Sequence, residues 1–245
     1  MNKVKKSIDW ANYTINSVKG LCPVGCSFCY ARRLYKRFHW NPEIRFEPAV
    51  FNDLPKMKPG SRVFWGSTME LFGYWINPAW MRLTMERVKA HPELTHIFLT
   101  KRPQNLLTWS PFPDNCYVGV TCTDEIMLTK AYVPLKQIQS KVKFISFEPL
   151  LNADMSVVDL SWTLRDAEIA QVIIGQQTPV KQSTMPKIEL VREIVEAADE
   201  AGAKVFLKNN LESLFEVKKG EKWDVPNWAS SGEYGHTMLR QEVLG

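Results

Sequence analysis

Three of the five cysteines fall within eight residues, Cys22-Pro23-Val24-Gly25-Cys26-Ser27-Phe28-Cys29. The spacing is C-x3-C-x2-C, and Pro23 and Gly25 give the segment the turns that let three thiolates face one centre. Iron–sulfur clusters take cysteine thiolates, usually four of them. A cubane held by only three keeps one iron open, and an open position is what lets a metal centre bind a substrate or cofactor. Three other readings compete. Zinc could take the same thiols with a histidine, His39 being the nearest, although structural zinc favours paired Cys-x2-Cys knuckles and one pair is present. A disulfide within the triplet conflicts with a reducing compartment. Three inert core thiols fit poorly on a loop containing Gly and Pro.

A second set of reactive groups recurs where apolar runs end: Ser67-Thr68-Met69-Glu70, Thr100-Lys101-Arg102, Thr121-Cys122-Thr123-Asp124, Ser146-Phe147-Glu148, Gln176-Gln177-Thr178 and Lys208-Asn209-Asn210. Glu148 follows Phe144-Ile145-Ser146-Phe147, where a carboxylate without a partner is costly. It either accepts hydrogen bonds from a ligand or pairs with Lys101, Arg102 or Lys208. Those cations suit an anionic ligand group or a charge-balancing role. Gln176 and Gln177 either read polar ligand edges or cap neighbouring loops. Cys116 reads as a packed apolar thiol.

These groups need a scaffold that brings strand ends together. Candidate strands are Tyr13–Asn16, Arg62–Ser67, His96–Thr100, Tyr117–Thr121, Lys143–Phe147, Gln171–Gly175 and Lys204–Leu207, mostly apolar without alternation, as when both faces are buried. Helical patterns lie between them. Residues 78–91 carry apolar groups near a 3.6 period. In residues 186–201, Ile188, Val191, Ile194, Val195 and Ala198 form one stripe. Pro186 suits that helix's first turn and Gly202 its C-terminal stop. Residues 124–139 form a weaker helix that Pro134 must kink or divide. Strand–helix alternation implies a parallel α/β sheet. Polar residues at nearly every strand end favour a barrel, whose active sites gather at that face, over an open sheet with one switch point.

At 245 residues, with 45% hydrophobic and 23% charged residues, the chain reads as one globular domain, 1–245, with residues 211–245 as a C-terminal cover. No run approaches the roughly 18 apolar residues of a membrane span. The basic start, Met1–Lys6, has no apolar signal core behind it, so the expected location is the cytoplasm and no membrane partner is expected. A net charge of +5 permits an anionic partner without requiring one. Arg32-Arg33-Leu34-Tyr35-Lys36-Arg37 reads as a solvated face.

The cysteine loop after the first strand, with Phe28 ahead of its last cysteine, resembles the defining motif of the radical S-adenosylmethionine (SAM) superfamily. The resemblance implies a partial (β/α)6 barrel whose [4Fe–4S] cluster is held by Cys22, Cys26 and Cys29. SAM chelates the open iron, with Phe28 near its adenine. One electron from an unidentified donor cleaves SAM to methionine and a 5′-deoxyadenosyl radical, which takes hydrogen from substrate. Along most of its length the chain is also similar to the phage Gp37/Gp68-like (DUF5131-type) proteins. The shared segments are Ile8-Asp9-Trp10 with Asn16, Cys29-Tyr30-Ala31-Arg32, residues 66–72, Leu99-Thr100-Lys101-Arg102-Pro103, Gly119-Val120-Thr121, Ser146-Phe147-Glu148-Pro149-Leu150 and Phe206-Leu207-Lys208-Asn209. A Gly-Gly-Glu after the second strand is absent, and Ser67-Thr68-Met69-Glu70 stands there. On this reading Ser67 and Thr68 bind the methionine end of SAM. Thr121 and Thr123 serve that end or the ribose, and Glu148 the ribose or substrate. Lys208 is a candidate catalytic group and Cys122 a candidate hydrogen donor. A nucleotide or nucleic acid is the preferred substrate class. The alternatives are a non-catalytic zinc- or nucleic-acid-binding module, and an acid/base barrel enzyme built on Glu148 and Lys208.

Overall fold

Runs of Val, Ile and Phe that stay apolar on both faces do form strands. In this computed structural model, residues 2–3, 10–151, 154–155, 158–215, 225–231 and 238–243 are described. Most of the basic start, with Ile8 and Asp9, and residues 216–224 and 232–237 of the expected cover lie outside them. The strands are β1 (Asn2–Lys3), β2 (Tyr13–Ile15), β3 (Val18–Lys19), β4 (Arg45–Phe46), β5 (Arg62–Trp65), β6 (Thr95–Thr100), β7 (Cys116–Thr121), β8 (Val142–Phe147), β9 (Ile169–Ile174) and β10 (Lys204–Leu207). The helices are α1 (Tyr30–Phe38), α2 (Pro78–Lys89), α3 (Glu125–Gln137), α4 (Leu160–Asp166) and α5 (Ile188–Ala201). The main sheet runs β1-β2-β5-β6-β7-β8-β9-β10, with β1 antiparallel to β2. The other seven strands give the parallel α/β architecture expected from the alternation. Every residue of β7 and β8 is buried, so both faces of these strands are covered. Among the described residues no helix is long and apolar enough to cross a membrane.

The chain packs as two compact units, residues 1–119 with 138–142, and residues 120–137 with 143–245. In the first, β2, β5 and β6 pair in parallel, Ile15 beside Trp65 and Trp65 beside Phe98. Trp65 is 1% exposed and stacks on Phe98 with ring centroids 6.0 Å apart. α2 starts where Asn77 accepts the Ala79 N–H at 2.9 Å and Pro78 occupies the first turn. β3 and β4 form a separate antiparallel pair.

A buried histidine is built into this core. The Trp65 indole donates to His96 Nδ1 at 2.9 Å, and Nε2 faces the His91 carbonyl at 3.2 Å. Indole is only a donor, so His96 is neutral with its proton on Nε2, and both ring nitrogens are satisfied. Burial lowers its pKa to about 4. As pH falls below 6.5, the unfolded chain takes up a proton that the folded chain refuses, so stability is lost until about pH 4 and no further below it. The expected loss from this group is about 3 kcal/mol. Thermal melts from pH 7 to 4 on the wild type and on His96→Phe check it; the variant's profile should be flatter across that window.

In the second unit, β8, β9 and β10 pair in parallel, with Phe147 and Leu207 both beside Ile174. α5 buries four of the five stripe residues, Val191, Ile194, Val195 and Ala198; Leu190 is buried where the stripe named Ile188, which is only half-buried in the first turn, and Gly202 ends the helix at φ 76. Pro186 stands outside the first turn, one residue before the Lys187 cap. An apolar residue there can pack against the fourth helical residue, here Val191, and both are buried. Pro134 neither divides nor ends α3. Lying in its last turn, it forfeits one N–H bond and is buried. The described end of the chain pairs with β10: Leu207 N–H donates to the Arg240 carbonyl at 2.8 Å and Glu242 N–H to the Val205 carbonyl at 2.9 Å. Arg240 fixes this segment through two bonds to Asp199, at 2.9 and 2.6 Å.

Candidate functional site

The three clustered cysteines lie on the loop from β3 to α1 and are half-buried, unbridged thiols. Gly20 opens the loop at φ 130, and a Cβ there would meet the Glu43 carbonyl at 2.6 Å, so only glycine fits. Its N–H donates to the Tyr35 hydroxyl at 2.8 Å, which anchors the loop to the buried face of α1. Gly25, at φ 71, supplies the turn between Cys22 and Cys26. Cys29 is the N-cap of α1, its Sγ accepting the Arg32 N–H at 3.5 Å. The Arg32 guanidinium reaches back to the Cys22 carbonyl at 2.8 Å. The helix that follows the loop therefore also closes it.

Neighbouring strand ends brace this loop. Tyr30, the first residue of α1, donates its hydroxyl to the Ser67 carbonyl at 2.7 Å. Asn16 Nδ2 donates to Ser67 Oγ at 3.1 Å, and Asn16 Oδ1 accepts the Thr68 N–H at 3.1 Å. Gly66 makes the turn after β5 at φ 74, where a Cβ would strike the Met69 carbonyl at 2.7 Å. Glu70 is 7% exposed and accepts from Thr100 Oγ1 at 2.7 Å, Lys101 N–H at 2.7 Å and Phe72 N–H at 3.1 Å. Burial raises the Cys22 thiol's pKa, while the backbone N–H groups of Glu70 and Val24 pull it down; charge at Glu70 and Cys29 adds to the rise. Phe28 is half-buried on the loop.

Among the described residues no three His, Cys, Asp or Glu side chains converge tightly enough to share one metal ion. His39, the histidine considered for zinc, caps the far end of α1, roughly 15 Å of helix from Cys29. A four-iron cluster makes a different demand, because each iron takes its own thiolate at a separate corner. Three unbridged thiols on one loop, two of them beside backbone N–H donors, fit that demand.

The second unit carries a separate polar cluster. Glu148, Gly175 and Lys208 stand side by side beyond β8, β9 and β10, and Lys208 Nζ pairs with Glu148 Oε1. Gly175 leaves room for the pair: a Cβ there would lie 2.9 Å from Lys208 Cδ and 3.3 Å from Glu148 Cγ. Of the partners considered for Glu148, the structure supplies Lys208. Arg102 instead lies over the Trp75 ring at 5.8 Å. Gln176 is 1% exposed; its Nε2 donates to the Asn210 carbonyl and to Ser213 Oγ, the latter at 2.8 Å. That is the loop-capping alternative. Gln177 is half-buried.

Thr121, Cys122 and Thr123 are all buried. Cys122 N–H donates to the Ser146 carbonyl at 3.0 Å. The Thr123 hydroxyl donates to Asp124 Oδ2 at 3.1 Å, and Asp124 in turn accepts the Met127 N–H at 2.8 Å at the start of α3. Cys116 is fully buried and its thiol is pushed up to about 12 by desolvation, as a packed apolar thiol should be. Sequence reasoning put Arg32 and Tyr35 on a solvated face and left Tyr30 without a role, whereas Arg32 closes the cysteine loop and Tyr35 is buried. Their signal was the register of α1, which the charge run concealed.

A family model described as a protein of unknown function, DUF5131, matches residues 5–228. No curated protein matches the chain. Two solved structures share its fold, both variants of spore photoproduct lyase. One is 13% identical with a TM-score of 0.59, covering 85% of this chain and 80% of its own. The other, with bound AdoMet and dinucleoside spore photoproduct, is 11% identical with a TM-score of 0.57, covering 82% and 78%.

Proposed function

We propose that this chain, which belongs to the DUF5131 family, is a radical SAM enzyme that cleaves S-adenosylmethionine reductively and takes hydrogen from a substrate. The observation that carries this reading is the Cys22-x3-Cys26-x2-Cys29 loop, closed by Arg32 and braced by Tyr30 against the end of β5. The fold shared with a structure containing bound AdoMet supports it. A [4Fe–4S] cluster with SAM supplies one-electron cleavage to methionine and a 5′-deoxyadenosyl radical.

The chain's own residues divide the remaining work. Cys22, Cys26 and Cys29 hold the cluster as thiolates, and Arg32 keeps the first cysteine's backbone in register with the helix that begins at the last. Asn16 fixes the Ser67 hydroxyl and the Thr68 N–H, and so holds in place the turn proposed to receive the methionine end of SAM. Glu70 accepts from three donors and acts as a brace between the ends of β5 and β6. Thr121, Thr123 and Glu148 are proposed to serve the ribose or substrate, Phe28 the adenine, and Lys208 and Cys122 the substrate. A nucleotide or nucleic acid is the proposed substrate class, consistent with the net charge of +5. The phage Gp37/Gp68-like subgroup and a cytoplasmic location are part of the same proposal.

The test is anaerobic reconstitution with iron and sulfide, reduction, addition of SAM, electron paramagnetic resonance and an assay for 5′-deoxyadenosine. A cubane signal that changes with SAM, together with product, supports the reading. Stoichiometric zinc in place of a cluster, with no product, overturns it. Asn16→Ala should weaken SAM binding about 10-fold, because one side chain orders two contacts whose loss costs about 1–2 kcal/mol. SAM titration by calorimetry checks this, and an unchanged affinity would remove Asn16 from the site.

A further inference from the structure

The proposed reaction needs one electron from outside the chain, and charge around the cysteine loop is distributed unusually. No Asp or Glu occurs between Asp9 and Glu43, although the chain carries 26 acidic residues in 245. The same stretch holds Lys19, Arg32, Arg33, Lys36 and Arg37. α1 sorts four of these by face. Ala31 and Tyr35 are buried, Arg32 turns back to the cysteine loop, and Arg33, Lys36 and Arg37 are exposed.

Two large aromatic rings accompany the cations. Phe38 is 52% exposed and Trp40 43%, and they stack with centroids 5.7 Å apart. The Arg37 guanidinium lies 5.3 Å from the Phe38 centroid, and Tyr35 holds Trp40 edge-on at 5.3 Å. A single exposed aromatic needs no explanation, and a charge run alone is usually a solvated face. Here a stacked, pre-positioned aromatic pair, three exposed cations and a cysteine of the cluster loop lie on one helix and the residues that flank it, from the Cys29 N-cap to Trp40 just past the C-cap. Aromatic residues and arginine are the types enriched at protein interfaces, and they immobilise little side-chain entropy when already packed.

We propose that the exposed face of α1, formed by Arg33, Lys36, Arg37, Phe38 and Trp40, docks an acidic one-electron carrier protein that reduces the centre held by Cys22, Cys26 and Cys29. The proposal rests on the radical SAM reading. In the transfer, the carrier's reduced centre loses one electron and is oxidised; no bond is made or broken and no proton moves at this face. Complementary charge steers the encounter and makes it salt-sensitive. A small contact suits a carrier that must leave after each turnover. Nucleic acid would also be drawn to this charge. The carrier is favoured because the face belongs to the helix that starts on Cys29, which sets the docked partner roughly 10–15 Å along α1 from the centre to be reduced.

The test uses an acidic [2Fe–2S] ferredoxin as probe, with Arg33→Glu/Lys36→Glu/Arg37→Glu and, separately, Trp40→Ala. Binding of oxidised ferredoxin is measured by calorimetry at two salt concentrations, with no cluster required. Reduction of the reconstituted protein is then timed with reduced ferredoxin and, separately, with photoreduced deazaflavin. The triple change should weaken binding and slow ferredoxin-driven reduction by about 10-fold or more, as loss of charge complementarity does elsewhere. Deazaflavin-driven 5′-deoxyadenosine formation should stay at the wild-type level. Trp40→Ala should weaken binding without removing its salt dependence. A triple variant that binds ferredoxin as the wild type does overturns the proposal. So does a wild type that ignores ferredoxin but binds a DNA or RNA oligonucleotide through these three cations. Absence of both a cluster and deazaflavin-driven product would sink the SAM reading instead, and ferredoxin binding to the unloaded chain would still decide the docking face.

Discussion

Cys26→Ala should leave the chain folded but eliminate the cubane signal and lower 5′-deoxyadenosine formation by at least ~10³-fold, the scale on which removing one member of a catalytic unit acts. Cys26 is the informative position because the described fold uses its backbone rather than its thiol: its carbonyl accepts the Cys29 N–H at 3.1 Å. Cys29 has a second task as the cap of α1, so Cys29→Ala should also cost about 0.5–1 kcal/mol of stability. Cys29→Ser keeps a capping oxygen while removing the soft ligand, and separates the two effects. Iron and sulfide content, the paramagnetic spectrum and thermal melts are the readouts. Full activity in Cys26→Ala would transfer the chemistry to the acid/base alternative.

The second large effect is expected at Glu148 and Lys208. Glu148→Gln removes the carboxylate from an ammonium whose side chain is only 7% exposed. Breaking a buried pair from one side costs about 3–5 kcal/mol. Lys208→Met should cost less, because the Glu148 side chain remains 25% exposed and can be reached by water. In the double variant, Glu148→Gln/Lys208→Met, no buried charge is stranded and most of the stability should return. Activity distinguishes the two roles. A purely structural bridge predicts that activity returns with stability. The ligand-binding role proposed here predicts that the double variant folds well and still turns over slowly. Chemical denaturation and 5′-deoxyadenosine assays on all three proteins give the cycle.

The strands were legible because buried parallel strands are written in one alphabet. Lys204–Leu207 appears with the expected bounds, five other runs differ by one or two residues at one end and Gln171–Gly175 at both, while the two-residue strands β1, β3 and β4 had no expected run. α5 was legible because its stripe is long and its C-terminal glycine follows the rule. α1 was hidden: only Ala31 and Tyr35 face inward, and four basic residues occupy most of the remaining turns. The bracing of the cysteine loop was hidden with it. Tyr30 to Ser67 and Asn16 to Ser67 are contacts between residues 37 and 51 positions apart, which local spacing does not encode. The cysteines themselves needed no tertiary information, since one short loop carries all three. His96 also escaped notice, because a histidine inside an apolar run carries no periodic signature that reveals an indole partner.

The pairing of the chain's end with β10 bears on where the protein can be cut. The family match stops at residue 228, yet the backbone groups that cover β10 belong to Arg240 and Glu242. A fragment trimmed to the matched region would keep the cysteine loop and every proposed site residue while leaving the outermost parallel strand open. Open strand edges recruit other strands. A shortened version that precipitates would therefore say nothing against the site: its fault would lie in a missing selvedge, the woven border that keeps a cloth from fraying.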